Sequence, residues 1–436
     1  MSISVVIVGS GPSGFYVAEA LIKSEADVEI DIIDRLPTPY GLIRGGVAPD
    51  HQNTKRVTRA YERTALNEKV RYYGNVELGR DISFAEFRAT YDAIVLTIGM
   101  PGDGKLGVPG EDKEGVIGSA TFVGWYNGHP DFKDLNPGLD TKNVVVIGNG
   151  NVAIDVARVL VKTPEEMTKA DLPRHVSAAI QDSPITDVYM AGRRGPVEAK
   201  FTNVELREMG HLENAAAVID PADLPEEVTG EWSDRDRRLR ERNLESLKGF
   251  SAASRDGKAK SVHFTFYAQP VEILGDEKVT GIRMEKTRVT DGRAKGTGEF
   301  FEIDCSLVIP AIGYVLQPLK DVPFDESTGT IRNEDGRVDD GVYVAGWAKR
   351  GPSGVIGTNK PDGHNAAAQV LADIQSSTKP GRESLETLLK SREVHWVDFA
   401  AWQKIDAAEV ANAPPGAPRE KFVTTEDMLK LLGSGA

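Results

Sequence analysis

Apolar positions along the chain fall into short uninterrupted runs, each followed by a glycine loop and then by apolar residues at helical spacing. Val5-Val-Ile-Val is a β-branched run of the kind that forms a strand buried on both faces. Gly9-Ser-Gly-Pro-Ser-Gly follows, and an amphipathic helix is expected through Leu21. A second strand, Val28-Glu-Ile-Asp-Ile-Ile-Asp, comes next. The order returns at Asn143-Val-Val-Val-Ile-Gly-Asn-Gly-Asn-Val-Ala-Ile-Asp-Val-Ala-Arg-Val-Leu, and a further strand is expected at Asp187-Val-Tyr-Met-Ala-Gly. Strand, helix and strand in this order are the signature of parallel βαβ units, so the chain reads as α/β with two Rossmann-like, doubly wound, three-layer domains. Near the end, Ala413-Pro-Pro-Gly-Ala-Pro reads as a stiff linker, and Glu426-Asp-Met-Leu-Lys-Leu-Leu as a short helix that packs back on the first domain.

The loops between these elements carry the first chemistry. Gly9, Gly11 and Gly14 form G-x-G-x-x-G: the first glycine turns tightly, the second lets backbone approach a pyrophosphate, and the third lets helix and strand pack closely. The phosphates then sit at the positive end of a helix. Asp34 ends the second strand, where an acid accepts hydrogen bonds from both hydroxyls of an adenosine ribose and repels a 2′-phosphate. Gly148, Gly150 and Ala153 repeat the loop as G-x-G-x-x-A. The strand after it runs into Arg193-Arg194-Gly-Pro, and two guanidiniums there suit a phosphate rather than free hydroxyls. The first fold is therefore expected to hold FAD and the second NADP(H); a glycine-rich structural turn and two surface arginines are the plainer alternatives.

Composition narrows the function. At 436 residues the chain suits two domains, and 40% apolar with 27% charged residues is a globular balance. A net charge of −14 argues against nucleic-acid binding. The single cysteine, Cys305, excludes an internal disulfide framework, a Cys-x-x-Cys redox pair and a cysteine-built cluster, and it reads as a buried filler. Seven histidines without a His-x-x-x-His pair give no expectation of a metal site. No apolar run reaches the ~20 residues that span a bilayer, and the first residues read as a strand rather than a targeting segment, so the expected location is cytoplasmic.

Longer motifs then connect the chain to a known family. Pro37-Thr-Pro-Tyr-Gly-Leu-Ile-Arg-Gly-Gly-Val-Ala-Pro-Asp-His51, the loop beginning at Gly148, Arg193-Arg-Gly-Pro with Phe201-Thr and Glu205-Leu-Arg-Glu-Met209, and Gly346-Trp-Ala-Lys-Arg-Gly-Pro-Ser-Gly-Val-Ile-Gly-Thr-Asn359 occur in one order. In these stretches the chain resembles the adrenodoxin-reductase-type ferredoxin–NADP reductases, bacterial members above all, nearly end to end. The resemblance implies an FAD domain built from the two ends of the chain, 1–103 and 313–436, with an NADP domain, 104–312, inserted between them. It implies hydride transfer from NADPH to FAD, then single-electron transfer to an iron–sulfur ferredoxin. A flavoenzyme using oxygen, a quinone or a small molecule is the alternative, and a redox-silent nucleotide-binding module is a third reading.

The resemblance also assigns residues. FAD is expected against Gly9, Gly11, Ser13, Gly14, Asp34, Arg35, Leu42, His51, Leu78, Trp347, Gly354, Val355 and Ile356. NADP(H) is expected against Asn149, Gly150, Asn151, Val152, Arg193, Arg194 and Glu205, with Gly354 near both cofactors. Ser13 replaces the family's usual alanine, adding a hydroxyl beside the pyrophosphate, and Asp34 replaces the commoner glutamate. His51 is a candidate catalytic helper beside the flavin or a structural hydrogen-bonding residue. Asp155 is a candidate for orienting the nicotinamide or plain support for its helix. A basic helix is expected over residues 233–248, with five arginines and a lysine against four acids. With Arg207, its Arg237, Arg238 and Arg240 are expected to dock an acidic ferredoxin; a solvated helix with pairs such as Arg237–Glu241 is the alternative. The family leans to monomers.

Overall fold

A computed structural model describes residues 2–374, 377 and 379–433. Met1, with which the expected first strand begins, lies outside them. The chain forms two compact units: Met1–Gly102 with Asn127–Lys133 and Tyr314–Ala436, and Asp103–Tyr126 with Asp134–Gly313. Residues 127–133, placed in the insert by the sequence reading, group instead with the first unit. The reason is local. Arg35 donates to both carboxylate oxygens of Asp131, at 3.2 and 2.7 Å, and the Lys421 ammonium donates to the Asn127 carbonyl at 3.1 Å.

The first unit is built on a six-stranded sheet ordered Arg337–Asp339, Val342–Val344, Ala93–Leu96, Ile3–Val8, Val28–Asp34, Val70–Gly74. All pairs are parallel except the outermost, Arg337–Asp339 with Val342–Val344. Side chains alternate across a strand, so Val5 and Ile7 enter one core while Val6 and Val8 enter another on the opposite face. Burial on both faces is why this strand is apolar throughout. The helices Pro12–Lys23 and Asn359–Asp373 cover the first face, Asn359–Asp373 so closely that Gly363 lies against the Tyr16 backbone. Met428, on the helix Thr425–Leu431, is buried in the same core.

The second unit carries a parallel sheet ordered Leu307–Pro310, Asn143–Ile147, Asp187–Ala191, Lys260–Thr265, Ala215–Ile219. An antiparallel sheet, Ala268–Leu274, Gly281–Thr290 and Arg293–Asp304, packs on one face of it through Ile273, Ile282, Met284 and Ile303. Cys305 is buried in that core, and burial pushes its thiol up to about 12. It is inert packing.

One buried ion pair ties the first unit's two chain segments together. Arg44, inside the 37–51 motif, donates to both oxygens of Glu409 on the helix Phe399–Ala411, and its guanidinium lies 5.3 Å from the centre of the Trp402 ring. Glu409 is fully buried and also accepts from the Phe422 amide at 3.0 Å. Burial pushes this carboxyl up, but Arg44 and Arg419 outweigh it and hold it below its ordinary value. Removing one partner of such a pair strands the other in the interior. Glu409→Ala should therefore destabilise the first unit by about 3–5 kcal/mol, read as a shift in the urea midpoint. An unshifted midpoint would show that Arg44 is satisfied without it.

Candidate functional site

Each unit presents a helix N-terminus at the end of its sheet, and both are left without a side-chain cap. Pro12–Lys23 starts after Gly11 and Asn151–Val161 after Gly150; neither N-cap accepts a side-chain hydrogen bond, and neither first turn holds an acid. Elsewhere in the chain Ser83, Thr202, Ser233, Asp398 and Thr424 cap their helices with side-chain oxygens. The leading N–H groups of the two glycine-started helices are thus available to an anion.

The glycines are placed as the motif requires. Gly9 has φ +109°, and a β-carbon there would lie 2.5 Å from the Thr97 carbonyl oxygen; one on Gly14 would lie 2.2 Å from the Gly9 carbonyl. A β-carbon on Gly11 or on Gly150 would meet nothing within 4 Å. The chain is therefore crowded on the sheet side of each loop and open over the second glycine, a cradle that fits a dinucleotide pyrophosphate. Thr97 holds the first loop from below: its hydroxyl donates to the Val8 and Gly9 carbonyls at 3.0 and 2.8 Å.

Asp34 sits at the end of its strand. One carboxylate oxygen accepts from the Ser10 amide at 3.0 Å and from the Ser10 hydroxyl, and the other accepts from the Leu36 amide at 3.0 Å. Burial pushes this carboxyl up against those hydrogen bonds. The group is fixed in orientation and keeps lone pairs for ribose hydroxyls. Arg35, beside it, is engaged by Asp131 rather than left to reach a nucleotide. The Ser13 side chain lies over Gly346, where an added β-carbon would meet its hydroxyl at 2.0 Å.

The loop after Trp347 is held by Arg350, Asp362 and Asn359, none of them given a role from the sequence, and by Trp347 itself. Arg350 donates to Asp362 at 2.7 Å and to Asn359 at 2.8 Å, and the Trp347 indole donates to the Ser353 carbonyl at 3.1 Å. Gly354 (φ +86°) follows, then Val355, 62% exposed, and Ile356. Leu42 is likewise exposed at 39%, whereas Leu78 packs at the margin of the second core of this unit. Exposed apolar side chains beside a nucleotide cradle suit the face of a flavin. His51 is the N-cap residue of the short helix Gln52–Lys55, with its amide on the Ala48 carbonyl at 3.0 Å.

In the second unit Arg193 is exposed and Arg194 half-buried at the end of their strand, and neither guanidinium has an ion pair or hydrogen bond among the described residues. Asn149 lies against Gly192 with its side-chain oxygen buried and unbonded. Asn151 accepts from the Thr202 amide at 2.8 Å, and Thr202 caps the helix that begins at Asn203, placing Glu205 in its first turn. Val152 is half-buried on the first turn of its own helix. Asp155 is an ion-pair partner of Arg158, which donates to it at 2.9 Å; Arg158 is fully buried and also faces Glu205 and Glu208.

On the helix Asp234–Ala252 the arginines divide. Arg237 donates to the Val228 and Gly230 carbonyls at 3.0 and 2.8 Å, and not to Glu241. Arg240 donates to the Val197 carbonyl and lies 3.6 Å from the centre of the Trp232 ring. Both are spent on their own unit. Lys248 donates to the Glu226 carbonyl at 2.6 Å, so the exposed cations without such a partner among the described residues are Arg235, Arg238 and Arg242, spaced along one face, with Arg207 exposed on the preceding helix. That i, i+3, i+7 spacing was the signal available in the sequence.

Known proteins resemble this chain over nearly its whole length. A family model described as pyridine nucleotide-disulphide oxidoreductase matches residues 3–191. The mitochondrial NADPH:adrenodoxin oxidoreductase of Arabidopsis thaliana is 41% identical over 98% of this chain and 94% of that protein. The NADPH-ferredoxin reductase FprA of Mycobacterium tuberculosis (strain ATCC 25618 / H37Rv) is 38% identical over 98% of both. The structure of Mycobacterium tuberculosis FprA in complex with NADPH superimposes with a TM-score of 0.93 at 38% identity, covering 99% of both chains.

The Arg35–Asp131 contact includes a titratable neighbour. The His129 ring accepts the Asp131 amide at Nδ1, 3.2 Å, and its Nε2 lies 3.4 Å from the Arg35 guanidinium. Burial first, then Arg35 and Arg44, push this imidazole down from 6.5 to about 4, against Asp131. Between those values the unfolded chain binds a proton that the folded chain refuses. Stability therefore rises with pH across the window and is lost as pH falls from 6.5 toward 4, by up to about 3 kcal/mol. His129→Gln should flatten that part of the pH profile in thermal melts; an unchanged slope would remove His129 from the account.

Proposed function

Because the chain belongs to the adrenodoxin-reductase-type family of ferredoxin–NADP reductases, we propose that it is an FAD-dependent oxidoreductase that passes electrons from NADPH to an iron–sulfur ferredoxin. The observation that carries this reading is the opposite charge at two equivalent places. A fixed carboxylate, Asp34, ends the strand after the first glycine loop, and two guanidiniums unpaired among the described residues, Arg193 and Arg194, follow the end of the strand after the second. The first suits a ribose with free hydroxyls, as in FAD; the second suits the 2′-phosphate of NADP(H).

In balance, one NADPH gives a hydride, becoming NADP⁺, and two ferredoxins each take one electron while one proton is released. Bound FAD supplies the conversion between the two-electron and one-electron steps. The protein's part is to bind and orient. The amides opening the helix after Gly11 hold one pyrophosphate, with Gly9, Ser13 and Gly14 shaping its bed; those after Gly150, through Asn151 and Val152, hold the other. Leu42, Trp347, Gly354, Val355 and Ile356 are the candidate flavin neighbours, with Leu78 at its margin and His51 the polar one. Asn149 and Glu205 border the NADP(H) site, and Asp155, fixed by Arg158, is the candidate on the nicotinamide side. Arg35 acts on FAD indirectly, by securing residues 127–133 beside Asp34.

For the electron acceptor, the exposed face of Arg235, Arg238 and Arg242 with Arg207 suits a small acidic ferredoxin, on a chain whose net charge is −14. We take the working form to be a cytoplasmic monomer; no described helix is long and apolar enough to cross a membrane.

The first experiment is an anaerobic titration of the purified flavoprotein with NADPH and with NADH, following flavin absorbance. Bleaching at much lower NADPH than NADH is expected, and Arg193→Ala with Arg194→Ala should erase the preference. Equal loss for both nucleotides would sink the 2′-phosphate assignment, and flavin that stays oxidised would favour a redox-silent role. Separately, Arg235→Glu, Arg238→Glu and Arg242→Glu together should lower kcat/KM for an acidic ferredoxin by about tenfold or more at low salt, leaving NADPH-driven ferricyanide reduction intact. Unchanged ferredoxin turnover would move the docking surface elsewhere.

A further inference from the structure

The arginine loop is held by an apparatus that lies about 75 to 95 residues further along the chain. Three carbonyls of the loop find donors from the antiparallel sheet and the residue just before it. The Ala268 amide donates to the Gly192 carbonyl at 3.0 Å, the Thr287 hydroxyl to the Arg193 carbonyl at 2.8 Å, and the Tyr267 amide to the Arg194 carbonyl at 3.3 Å. The Tyr267 carbonyl in turn accepts from the Thr287 amide at 2.7 Å. Three consecutive carbonyls are therefore tied down while both guanidiniums stay unpaired among the described residues.

Two local costs accompany this arrangement. Tyr267 has φ +52°, a left-handed conformation that a bulky residue adopts only when its surroundings impose it. Thr287 follows a register shift between Glu285 and Thr287, a β-bulge that turns its hydroxyl to face the loop; the side chain is only 7% exposed. The tyrosine ring also lies directly over Gly195, where an added β-carbon would come within 2.2 Å of the hydroxyl oxygen. Strain and a bulge that converge on one backbone segment mark a position the fold holds at some expense.

We propose that Thr287 and Tyr267 are positioning residues for nucleotide selectivity: they fix the backbone of residues 192–195 so that Arg193 and Arg194 are preset to grip a 2′-phosphate. This rests on the NADP(H) reading above. Neither residue touches the nucleotide in this account. Their effect is confined to the ligand that carries the phosphate, because preorganised guanidiniums are of use only to it.

The test is the binding of NADP⁺ and NAD⁺ to the FAD-loaded oxidised protein, followed by perturbation of the flavin spectrum and by calorimetry. Thr287→Val removes the hydroxyl at nearly constant volume and should raise the Kd for NADP⁺ about five- to tenfold, the scale of one lost hydrogen bond. The Kd for NAD⁺ and the flavin content should hold, and Thr287→Ser should restore NADP⁺ binding. Tyr267→Gly keeps the left-handed backbone without strain but removes the ring from Gly195, and should show the same selective loss if Thr287→Val does not fold. Wild-type NADP⁺ affinity in the folded variants, or equal loss for both nucleotides, overturns the proposal. Arg193→Ala with Arg194→Ala is run beside them. If that double variant keeps its NADP⁺ preference, the 2′-phosphate reading itself fails; if it loses the preference while Thr287→Val and Tyr267→Gly do not, only the positioning role fails.

Discussion

Everything the two sites can do depends on two helices that begin without caps. A helix end leaves several N–H groups unsatisfied, and a protein ordinarily answers them with a serine, threonine or aspartate, as this one does at Ser83, Thr202 and Thr424. At Gly11 and Gly150 it does not. The omission costs helix stability, and it returns a patch of aligned donors at a place where the chain is open. An acid in either first turn would compete with a phosphate for those donors, and neither has one. The glycines are thus required twice, for the space over Gly11 and Gly150 and for the turn beneath, where Gly9 and Gly148 face the Thr97 and Ala311 carbonyls.

On the proposed reading, two closely similar anion sites leave discrimination between cofactors to the next strand. Asp34 and the Arg193–Arg194 pair occupy the same place in the topology with opposite charge, and the protein treats them differently. Asp34 is held by donors from Ser10 and Leu36, which keep a buried carboxylate in one orientation with acceptor capacity to spare. The arginines are held only by their backbone, so that their charge stays available. A side chain that must receive a neutral hydroxyl can be fixed by its own polar atoms, whereas one that must neutralise a phosphate can be fixed only from behind.

Much of this was legible in the sequence, and what was hidden has a common cause. The β-branched runs and glycine spacing disclose the strands, loops and helix starts because those features act over a few residues. Contacts that join distant segments leave no such trace. Arg44 and Glu409 are 365 residues apart, and Arg35 reaches Asp131 across 96. The latter draws residues 127–133 into a unit to which no local pattern assigns them. Tyr267 and Thr287 are equally silent: nothing in Phe-Tyr-Ala or Lys-Thr-Arg announces a left-handed tyrosine or a bulge. Thr97 is silent in the same way, although its hydroxyl carries the Gly9 carbonyl.

The basic helix shows how the same cause bears on function. Counted along the chain, Asp234–Ala252 offers five arginines, and any of them could face a partner. Packing divides them, because a guanidinium within reach of uncapped carbonyls will satisfy those first. Arg237 and Arg240 meet carbonyls at Val228, Gly230 and Val197 and lose their freedom to a structural task. Arg235, Arg238 and Arg242 have no such neighbours among the described residues and remain hydrated on one face. Hydrated charges contribute little to stability but set long-range attraction, which salt screens. Docking through them would be fast, reversible and sensitive to ionic strength, and a carrier that must arrive, take one electron and leave needs an encounter with those properties.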